Sequence, residues 1–467
     1  MTETRVHAFT DDALGEDDAV AISARIASGE VSPREVVEAA VARTQRVDEV
    51  LNAVTYPAYE WARNAAPASG PLSGVPTFLK DNTDVAGMPT GFGTAAFRAR
   101  PATKNGPFTA QFLGTGLTVL GKSRLPEFGF NASTEFAEGD PTRNPWHTEY
   151  SSGASSGGAA ALVASGAVPI AHANDGGGSI RIPAACCGLV GLKPSRGRFI
   201  DGDQARTMPI NLIGEGVVTR SVRDTAAFFA AAEKYRPAPN LPPVGDVEGP
   251  SGRTLRVGLL LESVSGATTC PETRAAVEDT AAMLEKLGHH VEPIPLPVDA
   301  GFVRDFTRYW GMLSFLVGRF GRFVIDRDFD ASKMDNLSRG LHDLYQRELH
   351  RTPTTLYRLS RVRRAYAAAF ARHDLILSPV LAHVTPKLGH LSPTLPFDEL
   401  LERLQQYVAF TPLNNVSGGP AISLPMGAAG EGLPIGVQFS AAVGDERSLL
   451  DVAYALEQER PFRRIQD

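Results

Sequence analysis

Apolar positions recur at helical spacing through SPREVVEAAVARTQ (32–45), where Ser32 is placed to cap, Pro33 to open the first turn and Glu35 to complete a capping box. The pattern then changes. VPTFL (75–79) is a short, continuous apolar run behind turn-forming residues, which predicts a buried strand delivering Lys80 to its tip. LTVLGK (117–122) and GLVGLK (188–193) repeat the form. LRVGLLL (255–261), PETRAAVEDTAAMLEKLG (271–288) and HVEPIPL (290–296) read as strand, helix, strand, the pattern of an α/β layer. PAISLP and PIGVQFSA predict two more strands, and a helix over about 446–459 closes the chain. Residues 300–372 read as helical and begin with FVRDFTRYWGMLSFLVGRFGRF, whose aromatics suit core or lid packing as well as a substrate-pocket cover. No repeat of fixed period is present.

A length of 467 residues allows about three domains or one large α/β enzyme domain. The Pro- and Gly-rich stretch 237–253 is a linker or a surface excursion. With 43% hydrophobic and 21% charged residues the chain has the composition of a folded globular protein. Its net charge of −6 and scattered arginines argue against a nucleic-acid partner. Three cysteines, two of them the adjacent Cys186 and Cys187, make neither a disulfide framework nor a CxxC knuckle and fit a reducing compartment. The acidic, polar N-terminal residues lack the regions of a secretory signal. The uncharged span 151–174 is long enough to cross a bilayer but is crowded with Gly, Ser and Ala. The expectation is a soluble, cytoplasmic protein without a membrane partner.

Two motifs compete for attention. Gly116 to Ser123 (GLTVLGKS) satisfies the phosphate-loop pattern GxxxxGK[ST], yet its intervening residues are themselves a strand, so nucleotide binding is a minor alternative. Gly153-Ala-Ser155-Ser-Gly157 satisfies the GxSxG elbow, with His383 or His390 as a downstream base. An elbow caps an apolar strand, whereas the preceding GDPTRNPWHTEYSS is polar and turn-forming. No HExxH or CxxC motif is present, so no zinc ligand set is identified, and the SxxK motif of Ser-Lys hydrolases is absent as well.

DGGGSIR (175–181) places Ser179 behind Gly176, Gly177 and Gly178. The run makes either a tight turn or a strip of inward-turned N–H groups able to hold negative charge beside the hydroxyl. A serine hydrolase without histidine can use a neutral lysine. At pH 7 an ordinary lysine is neutral only about once in 2,500 molecules, so the base must be buried to lower its pKa; Lys80 suits that role.

GASSGGAAALVASGAVPIAHANDGGGSIRIPAACCGLVGLKPSRG (153–197) resembles the signature of the amidase signature family of Ser-Ser-Lys amide hydrolases. The likeness extends to GPLSGVPTFLKDN, LGKSRLPEFGF, TRNPW and the C-terminal FTPLNNVSGGPAISLPMG and GLPIGVQF, hence to nearly the whole chain read as one domain, 1–467. It implies an α/β fold with a large, mixed, twisted sheet covered by helices on both faces. It also implies Ser179 as nucleophile, Ser155 as a bridging serine in a cis peptide bond and Lys80 as base. Gly176, Gly177, Gly178 and Ser179 are implied as main-chain oxyanion donors, with Ser156, Asp175 and Arg181 in support. The implied reaction is hydrolysis of a linear or cyclic carboxamide to acid plus ammonia or amine through an acyl-enzyme, with no metal or organic cofactor. The partner is then a small-molecule amide, and dimer formation is an expectation from similar proteins. DGGGS stands where the family usually has DTGGS, and GASSGG where it has GGSSGG. HAND (172–175) and IRIPA resemble the bacterial amidase and aminohexanoate cyclic-dimer hydrolase branch more than the A subunits of tRNA-dependent amidotransferases, which stay as the alternative.

Overall fold

Ser32 caps the Pro33–Leu51 helix by accepting the Glu35 N–H at 3.2 Å, while the Glu35 carboxylate accepts the Ser32 N–H at 2.8 Å. This reciprocal box is the one the sequence predicts. The computed structural model describes residues 4–467. Its main apolar cluster runs from Ala8 to Leu456 and so joins the two ends of the chain.

The large sheet has eight strands, in the order His290–Pro293, Arg256–Leu259, Leu375–Pro379, Pro434–Ala441, Ala421–Ala428, Val190–Lys193, Gly214–Thr219 and Ile170–Asp175. The first two pairings are parallel and the rest antiparallel, which makes the sheet mixed. The Val222–Tyr235, Pro271–Lys286 and Glu446–Glu459 helices pack against it. Ile170–Asp175 occupies one edge, where unpaired main-chain groups are a liability unless covered.

That cover is the strand Pro76–Lys80, which belongs to a separate three-stranded sheet with Thr118–Ser123 and Val54–Pro57. The two strands meet through side chains instead of a main-chain ladder. Thr77 Oγ1 donates to Ile170 O at 2.9 Å, and the Lys80 N–H donates to His172 Nδ1 at 3.2 Å. Lys80 thus reaches the edge of the large sheet from outside it.

The phosphate-loop alternative fails here. Thr118–Ser123 is a fully buried strand, and Lys122 Nζ is held by Asp81 Oδ1 at 3.3 Å and Thr90 Oγ1 at 3.2 Å, so no open loop exists to cradle phosphate. GDPTRNPWHTEYSS is more ordered than its polarity predicts, because Arg143–Asn144 and His147–Ser151 pair as a short hairpin. Residues 237–253 carry no helix or strand. They are nevertheless strapped down: Arg198 Nη1 donates to Pro242 O, Arg447 Nη1 to Val244 O, both at 2.7 Å, and Tyr454 Oη to Val247 O at 3.0 Å. Residues 300–372 hold the helices Gly301–Val324, Asn336–Glu348 and Thr352–Ala369, the first packed on the other two. Among the described residues no helix is long and apolar enough to cross a membrane.

Candidate active site

Lys80 ends its strand without any exposed surface, and its Nζ donates to Ser155 Oγ at 2.7 Å and Asn174 Oδ1 at 2.8 Å. Asn174 is itself oriented by reciprocal amide bonds with Asn82, at 3.2 and 3.3 Å. Burial disfavours the ammonium and pulls the Lys80 pKa down to about 7, although the charges of Glu215 and Asp175 resist the shift. A neutral amine is then well populated at neutral pH, where an ordinary lysine is almost wholly charged.

Ser155 lies between the hairpin and the Gly157–Ala164 helix, and the Ala154–Ser155 peptide bond is cis. Its hydroxyl lies close to Gly129, where a Cβ would come within 2.8 Å of it. Ser156 is buried beside it, with Oγ 3.4 Å from Asn174 O. Neither His383 nor His390 hydrogen-bonds to Ser155, which leaves the elbow reading without its base.

The strand Ile170–Asp175 ends at the glycine strip, and Arg181 opens the following helix, Arg181–Cys187. The Asp175 carboxylate gathers the turn between them. Oδ1 accepts the Gly178 N–H at 2.7 Å and Oδ2 the Ile180 N–H at 3.1 Å. Arg181 uses all five guanidinium N–H groups, on Asp175, Asn414, Asn415 and Gln438. Burial alone would raise the Asp175 pKa, but the charge and hydrogen bonds of Arg181 outweigh it and hold the carboxyl well below the usual range. Gly178 has a left-handed φ of +138°, and a Cβ there would lie 2.4 Å from Thr411 Oγ1.

The Gly178 N–H, expected among the oxyanion donors, is donated to Asp175 Oδ1 at 2.7 Å. Among the described residues the N–H groups of Gly176, Gly177 and Ser179 have no hydrogen-bond partner, so the available strip has three donors. Ser179 Oγ likewise makes no hydrogen bond, to Ser155 or to any other described group, and the residue is 7% exposed.

That exposure faces an apolar cleft with about 750 Å³ of empty space including its open mouth. Phe302, Phe306 and Trp310 line it as a stacked row one turn apart on the Gly301–Val324 helix, with centroids at 6.2 and 5.6 Å. Among the described residues no Asp, Glu, Lys, Arg or His lines the cleft.

Asn174, Asn414, Asn415 and Gln438 stand out only in the folded chain. HAND and LNNVSGGP belong to the stretches that carry the family resemblance, and nothing local signals their hydrogen bonds. Lys193, a third strand-end lysine, is also pulled to about 7, first by burial and then by the charge of Arg181, but its Nζ donates to Pro194 O at 2.7 Å and meets no serine.

A family model described as Amidase matches residues 35–450. AmiC of Mycobacterium leprae is 49% identical over 465 residues, covering 99% of each chain. The 6-aminohexanoate-cyclic-dimer hydrolase of Paenarthrobacter ureafaciens is 36% identical over 477 residues, covering 95% of each. A solved structure of 6-aminohexanoate cyclic dimer hydrolase superposes with a TM-score of 0.86 at 32% identity, covering 98% of this chain and 99% of that one. With the family model spanning most of the chain and relatives alike along their full length, the chain belongs to the amidase family and is a hydrolase of amide C–N bonds.

Proposed function

We propose that Ser179 is the nucleophile, that Lys80 is the base and that Ser155 passes the proton between them, hydrolysing a neutral carboxamide through an acyl-enzyme. The observation that carries this reading is the 2.7 Å bond from a wholly buried Lys80 to Ser155. The neutral amine takes the Ser155 proton while Ser155 takes that of Ser179, and the Ser179 oxygen bonds to the amide carbon. Closing the Ser155 to Ser179 gap is the movement substrate must bring. Negative charge on the carbonyl oxygen then meets the N–H groups of Gly176, Gly177 and Ser179, each such donor worth about 2.7–4 kcal/mol in a transition state. Collapse breaks the C–N bond as the leaving nitrogen recovers the proton from Lys80 through Ser155. Water, deprotonated by the same relay, releases the acid and restores Ser179.

Asp175, Arg181 and Ser156 act by holding this strip and loop in place. The uncharged, aromatic cleft favours amides with an apolar acyl or amine portion, since burying a charge there without a partner is costly. The likeness to a 6-aminohexanoate-cyclic-dimer hydrolase supports linear or cyclic aliphatic amides within that class.

Covalent labelling by a fluorophosphonate, mapped by mass spectrometry, tests the assignment. One adduct on Ser179, lost in Ser179→Ala, is the expected result. A label that survives Ser179→Ala and instead depends on Ser155 overturns it.

A further inference from the structure

A second cleft, with about 1010 Å³ of empty space including its open mouth, lies between the loop 196–201, the segment 237–241 and the Thr352–Ala369 helix. It shares no lining residue with the aromatic cleft. Five arginines line it (196, 198, 206, 236 and 363) against one carboxylate, Asp201, in a chain of net charge −6. Arg198 is neutralised by Glu233 and Glu446, but among the described residues the other four form no ion pair. Asp201 is turned toward Asn211, whose amide it accepts at 2.9 Å.

Like charges gathered this way repel unless an anion offsets them. Burial, and after it the positive charge of Arg363, lowers the Arg196 pKa. A second observation concerns hydrogen bonds. Among the described residues the Nε atoms of Arg196 and of the fully buried Arg198 have no partner, a costly state for guanidinium donors, although Arg196 Nη2 donates to Asn415 O and Val416 O. The wall opposite is pre-set, because Pro237 and Pro239 restrict the chain and Arg198 holds Pro242 O.

We propose that this cleft is an anion site for a small molecule carrying two or more negative charges on phosphate or carboxylate groups. Guanidinium forks match both geometrically, and several forks around one cavity select for multiple charge. The site is independent of how Ser179 reacts.

Calorimetric titration of the full chain at fixed ionic strength, with pyrophosphate and citrate as probes, tests it. Arg236 and Arg363 are exposed and lie outside the amide-hydrolysing site, so the double variant Arg236→Ser/Arg363→Ser folds and keeps its turnover. Saturable binding of at least one probe to the wild type, weakened at least about tenfold in the double variant, is expected. A response to pyrophosphate alone assigns a phosphate ligand, and to citrate alone a polycarboxylate. No saturable heat from either probe up to about 10 mM, or equal affinity in both proteins, overturns the proposal. The single variant Arg363→Glu, which inverts one charge at the rim, must weaken binding as well.

Discussion

Asp175 and Arg181 face each other across the glycine strip as a bidentate pair, Nε to Oδ2 and Nη2 to Oδ1 each at 2.9 Å, with neither side chain exposed. Because Asp175 Oδ1 also accepts the Gly178 N–H and the Asn415 amide, one carboxylate fixes the turn, the helix start and the Pro412–Ser417 helix together. The N–H groups left unpaired at 176, 177 and 179 owe their positions to this hub.

Replacing Asp175 by Asn keeps the shape and removes the charge, leaving the Arg181 guanidinium buried without an anion. Breaking a buried pair in this way costs about 3–5 kcal/mol, read as a lower urea midpoint at neutral pH. The pH dependence has a definite sign. The folded-state pKa of Asp175 is depressed, so its stabilisation is complete above the ordinary value of 3.8 and is lost as pH falls below it. The gap between wild type and Asp175→Asn therefore narrows only in acid.

Lys80→Met separates chemistry from folding. Methionine is of similar length and needs no hydration, so the variant is expected to fold while kcat/KM drops about 10²–10⁴-fold. With Lys80 as the proposed base, kcat/KM of the wild type is expected to rise through pH about 7 as Lys80 loses its proton, and that limb is expected to disappear in the variant. Stability runs the other way. The folded-state pKa of Lys80 is lowered, so a buried charge burdens the wild type fully below about pH 7 and not at all above 10.5. Lys80→Met should be the more stable protein, by the widest margin in acid, as urea melts on either side of neutrality will show.

Lys80 was legible because a strand buried on all sides leaves a continuous apolar run, and the lysine sits at its end. The same logic could not choose among Lys80, Lys122 and Lys193, which share the form. What separates them is tertiary: Asp81 lies against Lys122, a carbonyl against Lys193, and Ser155 with Asn174 against Lys80. Asn174 is 94 residues from Lys80, and Asn414 is 233 from Arg181. Periodicity reports which face of an element is buried, and it holds no record of which strand edge or helix end that face will meet. The commitment of the Gly178 N–H is invisible for a related reason, since a glycine run specifies freedom of the main chain and not the acceptor each N–H finds.

Phe306→Ala tests the aromatic row as a specificity element. Phe306 sits between Phe302 and Trp310, and its Cζ would lie 3.4 Å from a Cβ on Gly177. Truncation removes apolar contact worth about 1.5–3 kcal/mol to a group that fills the cleft. Amides with aryl or long alkyl portions should lose about 10–100-fold in kcat/KM, and acetamide less than about threefold. An equal loss for both classes would place the row in structural support of the strip and not in recognition.

Gly176 and Gly178 differ in what they require, and paired alanine variants expose the difference. A Cβ on Gly178 would occupy a left-handed conformation and press within 2.4 Å of Thr411 Oγ1 and 2.6 Å of Ile182 Cδ1. Thr411 is already tied to Gly177 O at 2.6 Å, so Gly178→Ala must displace the strip, with an expected loss of about 10²–10³ in kcat, the scale of losing one oxyanion donor. At Gly176 the φ is unremarkable and the added Cβ comes no nearer than 3.5 Å to Trp310 Cη2, with Ile213 Cγ1 at 3.8 Å, ordinary contacts. Gly176→Ala should therefore stay within about threefold of wild type, because the donor at 176 is a main-chain group that alanine retains. If both variants lose activity equally, space and φ are not what the strip protects. Glycine at 176 would then be needed for movement of the donors as Ser179 closes on Ser155, and single-turnover kinetics would show the Gly176→Ala defect in acylation.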